Sequence, residues 1–209
     1  MSTIERETPI GLRELKKQRT RAAIADAAMQ LFLARGFEAV TVAEVARAAE
    51  VSEATVFNHF RTKEDLVFDR LEQFWTRLVA AVEQRAEGQG VVDAVEAFLL
   101  EQNRASLSPE RAEFLAAVGR MIADSPALLA RERASYDDAA AALATVIERT
   151  TELGADAAAA AHMILAVHRS LVAYTRELTR AGTAGRDLAR RVDAATRSGY
   201  SLLREGVDV

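Results

Sequence analysis

The chain contains no cysteine. Disulfide frameworks, thiolate metal sites and a cysteine nucleophile are therefore excluded. Proline is confined to Pro9, Pro109 and Pro126, and lysine to Lys16, Lys17 and Lys63. Strand-like alternation closed by turn dipeptides is absent, which argues against a sheet. The longest stretch free of Asp, Glu, Lys and Arg is Ala157 to His168, 12 residues, short of the ~18 that suggest a membrane span. The first ten residues, MSTIERETPI, carry acidic groups where a secretory signal has its apolar core. A cytoplasmic protein without membrane contact is expected.

What is present points to helix. Alanine, the best helix former, occurs 43 times in 209 residues. Half the residues are apolar, enough to bury a sizeable core and to exclude disorder over most of the chain. The expected fold class is all-α.

Charge is unevenly spread. There are 31 acidic and 27 basic residues, a formal net charge of −4. Residues 1–70 are neutral with 11 of each sign, so the acidity lies in 71–209. Within 11–21, however, Arg13, Lys16, Lys17, Arg19 and Arg21 face Glu14 alone. A basic tip on an acidic body suits a polyanion-binding end. From charge alone, a solvated helix start reads equally well.

Periodicity and punctuation predict about nine helices. The first runs from about Leu12 to Arg35, with Ile24, Ala27, Ala28, Leu31 and Phe32 on one face. Gly36 ends it, and Phe37 is placed to pack on Phe32. Thr41 and Glu44 form a capping box for a short helix to about Ala48. After a tight turn at Ala49-Glu50-Val51, Ser52 caps a second short helix, Glu53 to His59, with Val56, Phe57 and Phe60 facing inward. This is a helix-turn-helix pattern. Thr62 caps a long helix from Lys63 to about Glu87, and a helix from Val91 to about Ala105 follows. Ser108-Pro109 and Ser125-Pro126 start helices near 109–123 and 126–150. The last two span 155–181 and 186–205. The domains are expected at 1–62 and 63–209.

The motifs of the first 65 residues are Ile24-x-x-Ala27-Ala28-x-x-Leu31-Phe32, Arg35-Gly36-Phe37 and Thr41-Val42-x-x-Val45-Ala46-x-Ala48. Val51-Ser52-x-x-Thr55-Val56-Phe57-Asn58-His59-Phe60 and Lys63-Glu64-x-Leu66 follow. Together they resemble, without gaps, the DNA-binding domain of the tetracycline-repressor (TetR) family. The nine-helix outline fits that family's fold. The resemblance implies a sequence-specific, dimeric regulator of transcription, most simply a repressor that leaves a pseudo-palindromic operator when a small molecule binds its second domain. No cofactor is expected.

In helix-turn-helix proteins the first residues of the second helix meet base edges in the major groove. Here these are Glu53, Ala54 and Thr55, with Asn58 one turn on. Glu accepts from cytosine N4, Ala touches a thymine methyl, and Asn pairs with adenine. Other readings stand beside these. Glu53 favours the helix dipole, Thr55 packs, and Asn58 serves the helix end. Arg19 and Arg21 of the basic segment are candidate phosphate partners. The resemblance implies backbone roles for Thr41, Ser52, His59 and Lys63; Thr41 and Ser52 also read as plain caps, and His59 as a neutral imidazole. Phe57 stands where many family members carry a phosphate-binding Tyr, so one hydrogen bond is missing.

Leu188, Val192, Ala195, Gly199 and Leu202 recur at spacings of four and three, a heptad-type seam. The preceding helix is apolar nearly all round from Ala157 to Tyr174, which predicts burial on both sides. Together the two suit a four-helix homodimer interface, as the family uses its last two helices. The alternative is that both faces are filled within one subunit. For a ligand, Phe74, Trp75, Phe98, Phe114, Tyr136 and Tyr174 are candidates to line a pocket. Asn103, His162 and His168 are candidates to orient the bound molecule. Each also reads as ordinary core or surface.

Other classes find little support. No Gly-x-Gly-x-x-Gly, His-Glu-x-x-His or Glu-x-x-His occurs. The adjacent Asp137 and Asp138 face different ways on a helix. Neither a catalytic nor a metal site is expected, and a sequence-neutral DNA-coating protein would be strongly basic.

Overall fold

Side-chain caps at Thr41, Ser52 and Ser125 set three of the helix starts. The computed structural model describes residues 11–106 and 109–206, with no strand among them. Ser108, expected to cap the sixth helix, and the acidic first ten residues lie outside the described residues. The helices are α1 (Leu12–Arg35), α2 (Val42–Ala48), α3 (Glu53–His59), α4 (Asp65–Glu83) and α5 (Val91–Ser106). Then come α6 (Pro109–Ala123), α7 (Pro126–Thr150), α8 (Ala157–Arg180) and α9 (Gly185–Glu205), with a 3-10 turn at Gly154–Asp156 before α8. The all-α expectation is met.

α1 stops at Gly36, whose φ of +85° would strain any side chain and whose N–H donates to the Phe32 carbonyl at 2.8 Å. Phe37 then turns back onto Phe32, with ring centroids 5.1 Å apart. At the start of α2, Thr41 N–H donates to the Glu44 carboxylate at 2.8 Å and Glu44 N–H to the Thr41 hydroxyl at 3.2 Å. The Thr41 backbone bond, helped by the Arg35 guanidinium, holds the Glu44 carboxyl down at about 2. The turn from α2 to α3 is a Schellman motif: Glu50 N–H reaches the Arg47 carbonyl and Val51 N–H the Ala46 carbonyl. Glu50 takes φ 55°, a left-handed conformation that is strained for a residue with a Cβ. Ser52 then caps α3, its hydroxyl accepting from Thr55 N–H at 3.1 Å.

Two compact units divide at 69/70, later than the expected 62/63. Leu66, Val67 and Phe68 in the first turn of α4 are buried, and Asp69 pairs with Arg21 of α1 at 2.6 Å, so this turn belongs with the first unit. That unit buries Ile24, Ala28 and Phe32 of α1, Val45 and Ala46 of α2, and Val56 of α3. Helices of seven residues are unstable alone, so this packing is what holds α2 and α3 in place.

The second unit is a bundle around Trp75, Leu78 and Val82 of α4, Val95 and Leu99 of α5, Tyr136, Leu143 and Ile147 of α7, Ala161, Ile164 and Leu165 of α8, and Tyr200 of α9. α4 ends at Glu83 rather than near Glu87. The guanidinium of Arg85 turns back there, donating to the Val82 carbonyl at 2.9 Å and to the Thr150 carbonyl at 3.0 Å.

The expected seam on α9 is split. Leu188, Val192, Thr196 and Tyr200 are buried within the chain. Leu188 and Val192 pack with Ala112 and Leu178 rather than facing outward. Gly199 also faces inward: an added Cβ would lie 2.9 Å from Val167 Cγ1 of α8. Ala195 is half-buried and Leu202 is 54% exposed. A four-three spacing identifies residues that share a stripe; it does not say whose helix covers them. α8 is buried on one side only. Its other side, carrying Ala159, Met163, Ala166, Ala173 and Tyr174, is exposed. The segment Gly154–Arg180 is the one helix among the described residues long and apolar enough to cross a membrane, although Ala161, Ile164 and Leu165 pack in the core.

Candidate functional site

In the first unit, α3 presents one exposed face. Glu53, Ala54, Phe57 and Asn58 are exposed, Thr55 and His59 are half-buried, and Val56 is buried. At about 100° per residue, residues 53, 57, 54 and 58 follow one another around a single outward arc. Three of the four expected base-reading residues therefore share a face. Thr55 lies to the side, its hydroxyl 2.8 Å from that of Ser52. Phe57 is 52% exposed at the middle of the arc, not turned inward as its apolar character suggested. In so short a helix, Val56 already fills the inward position.

The expected phosphate partners differ in how free they are. Arg19, Thr41 and Ser52 are exposed. Lys63 Nζ rests 4.2 Å over the Phe37 ring, which fixes where its charge sits. Arg21 is already engaged. Its Nε donates to Asp69 at 2.6 Å, its Nη1 to the His59 carbonyl at 2.5 Å, and its guanidinium lies 4.4 Å over the Phe60 ring. These contacts tie the end of α3 to α1 and α4. His59 Nδ1 is buried without a hydrogen-bond partner. Burial, and then the nearby Arg21 and Lys17 charges, push this imidazole below its usual range, so it is neutral at pH 7.

In the second unit five of the nine expected ligand residues converge. Phe74 lies 5.0 Å from Trp75, 5.4 Å from Phe98 and 5.3 Å from His168, and Trp75 lies 5.0 Å from Tyr136. The Tyr136 hydroxyl and His168 Nδ1 share a hydrogen bond of 3.0 Å. Burial holds His168 neutral, with its pKa down at about 4, and pushes the Tyr136 phenol up. A polar chain that sequence reading missed ties the same cluster to α4. Trp75 Nε1 donates to Ser135 Oγ at 3.0 Å, Ser135 donates to Glu72 at 2.9 Å, and Arg131 pairs with Glu72 at 2.9 Å.

The remaining four lie elsewhere. Asn103 Nδ2 reaches Asp193 at 3.2 Å and ties α5 to α9. His162 is exposed, its Nδ1 2.8 Å from the Ala158 carbonyl. Tyr174 is 36% exposed on the outer side of α8, and Phe114 is half-buried on α6.

Residues 24–69 match the model of the bacterial regulatory proteins of the tetR family. The chain is 35% identical over 103 residues to the HTH-type transcriptional regulator TcmR of Streptomyces glaucescens, covering 46% of each protein. It is 43% identical over 65 residues to the uncharacterized HTH-type transcriptional regulator YvkB of Bacillus subtilis, covering 31% of this chain and 34% of that one. The chain thus spans less than half the length of these curated relatives. Among solved structures, the TetR-family repressor FadR of Thermus thermophilus, in complex with lauroyl-CoA, is similar with a TM-score of 0.58 at 22% identity, over 90% of this chain and 95% of that one. NalD of Pseudomonas aeruginosa, a secondary repressor of a multidrug efflux pump, has a TM-score of 0.58 at 19% identity, over 89% and 96% of the two chains. Likeness at these identities establishes the shared fold. Over residues 24–69, this chain is similar to the bacterial regulatory proteins of the tetR family.

Proposed function

We propose that the chain is a sequence-specific DNA-binding regulator of transcription, acting in the bacterial cytoplasm as a dimeric repressor that a small molecule releases from a pseudo-palindromic operator. The observation that carries this reading is the outward face of α3, where Glu53, Ala54 and Asn58 are exposed together behind a Ser52 cap. These groups read base edges, and Thr55 supports them from the side. Arg19, Thr41, Ser52, His59 and Lys63 meet the phosphates and set the register. This work is binding, not catalysis.

Dimerisation uses the exposed side of α8, around Ala159, Met163, Ala166 and Tyr174, together with Leu202 of α9. These residues are exposed in the single chain. Small residues beside Met163 let helices approach closely, which favours a four-helix arrangement. A two-fold dimer sets its recognition helices about 34–36 Å apart, one turn of DNA. The interior ring cluster is the place where a ligand shifts the population between DNA-binding and released forms. The solved complex of the Thermus repressor with lauroyl-CoA supports ligand response in this fold.

The test is selection from random duplex DNA with the purified chain, at stated salt, followed by sequencing. A two-fold-symmetric motif is the expected result. Absence of any enriched sequence with a dimeric, ligand-free protein would overturn the reading.

A further inference from the structure

We infer that the cleft between α7 and α8 beside Tyr136 binds a small monoanionic carboxylic acid with a flat apolar body; in making that acid the effector, the inference rests on the regulator reading above. The cleft has a volume of about 110 Å³ and is lined by Leu129, Glu132, Arg133, Tyr136 and Arg169. An enclosed apolar cavity of about 150 Å³ accommodates benzene. A smaller cleft that opens to solvent takes a ring of that size with its polar group left at the mouth.

The chemistry of the lining selects the charge. Leu129 and the Tyr136 ring supply the apolar wall. Arg133 and Arg169 are exposed at the rim, and neither has a carboxylate partner among the described residues. Arg169 is held in place, its guanidinium 4.7 Å over the Tyr136 ring. The one acid in the wall, Glu132, is taken by Arg176 at 2.5 Å. Two cations are therefore left over, and a carboxylate answers them with charge-assisted, forked hydrogen bonds. A bare inorganic anion gains nothing from the apolar wall.

The position links the cleft to the interior. Tyr136 is both a wall of the cleft and a member of the ring cluster, 3.0 Å from His168 Nδ1 and 5.0 Å from Trp75 between ring centroids. An acid seated on Arg169 competes with the Tyr136 ring for that guanidinium and so disturbs the ring that buttresses Trp75. Trp75 is the only tryptophan, and its fluorescence reports the event.

The experiment titrates the full chain with benzoate, benzamide and inorganic phosphate, read by Trp75 fluorescence. A parallel measurement follows affinity for the selected duplex. Benzoate is expected to bind about tenfold more tightly than benzamide, the scale of one charge-assisted bond. Arg133→Gln and Arg169→Gln, each checked for folding by thermal unfolding, are expected to weaken benzoate about tenfold and to leave benzamide unchanged. Phosphate is expected not to displace benzoate. Equal binding of benzoate and benzamide, indifference to both substitutions, displacement by phosphate, or no benzoate binding at all would each overturn the proposal. Benzoate that binds as described but leaves duplex affinity unchanged overturns the effector role. Failure to select any duplex defeats the regulator reading, while the titration still decides the chemistry of the cleft.

Discussion

Arg21 Nε lies 2.6 Å from Oδ1 of Asp69, a carboxylate whose side chain is only 3% exposed. The pair, with the Arg21 bond to the His59 carbonyl, joins the middle of α1 to the end of α3 and the first turns of α4. Arg21→Ala leaves a buried carboxylate without this cation, and should destabilise the first unit by about 1–3 kcal/mol. Arg21 is 38% exposed, so solvent screening keeps the value toward the lower end. Adding Asp69→Asn should recover part of the loss. Urea unfolding of the two single variants and the double variant gives the coupling, expected at about 1 kcal/mol. Strict additivity would show that the pair contributes nothing.

Phe57 sits at the centre of the outward arc of α3 and is half-exposed, so changes there reach DNA before they reach the core. Phe57→Tyr adds a hydroxyl on the face proposed to meet the duplex. It should raise duplex affinity several-fold, about 1 kcal/mol for one hydrogen bond, with an unchanged unfolding midpoint. Phe57→Ala should lower affinity without destabilising the fold. Fluorescence anisotropy on the selected duplex measures both, and a large fall in thermal stability of Phe57→Ala would mean that this ring packs after all.

Acid should weaken the second unit through His168. Its folded pKa is depressed to about 4 by burial, below the ordinary value of 6.5. Between these values the unfolded chain binds a proton that the folded chain refuses, so stability is full above about pH 6.5 and falls as pH drops toward 4. At 1.36 kcal/mol per unit the loss is about 3 kcal/mol. His168→Gln should be less stable than the parent at pH 7, and that gap should shrink at pH 5. Thermal unfolding across this range is the measurement; parallel curves for the two proteins would contradict the assignment.

Glu50 has a left-handed backbone in the turn between α2 and α3. Glu50→Gly removes that strain, offset in part by a freer unfolded chain, and should stabilise this unit by up to about 1 kcal/mol. Hydrogen exchange at the α2 and α3 amides should slow. Unchanged or faster exchange would show that the turn carries no releasable strain.

Met163 is 52% exposed on the outer side of α8. Met163→Glu places a charge in the middle of the proposed dimer face and should yield monomers by sedimentation at concentrations where the parent is dimeric, with helix content retained. A dimer that survives would move the interface elsewhere.

Local signals made much of this structure legible in the sequence. Thr41, Ser52 and Ser125 each cap the helix their chemistry announced. The 3.6-residue pattern found Ile24, Ala28 and Phe32 because α1 has a single buried stripe. What stayed hidden was pairing at long range. Trp75 and Ser135 are 60 positions apart, and Tyr136 and His168 are 32 apart; no spacing rule links such residues. Leu188 and Val192 share a stripe as expected, yet helices of the same chain cover it. Arg21 looked like a free cation because its acceptors, Asp69 and the His59 carbonyl, lie 48 and 38 positions away.

Ser135 and Tyr136 are consecutive on α7, so their side chains leave the helix about 100° apart. One grips α4 through Trp75 and Glu72; the other grips α8 through His168. A small roll of α7 about its own axis therefore moves both contacts together. A molecule pressing on Tyr136 would load the grip on α4 as well as the grip on α8.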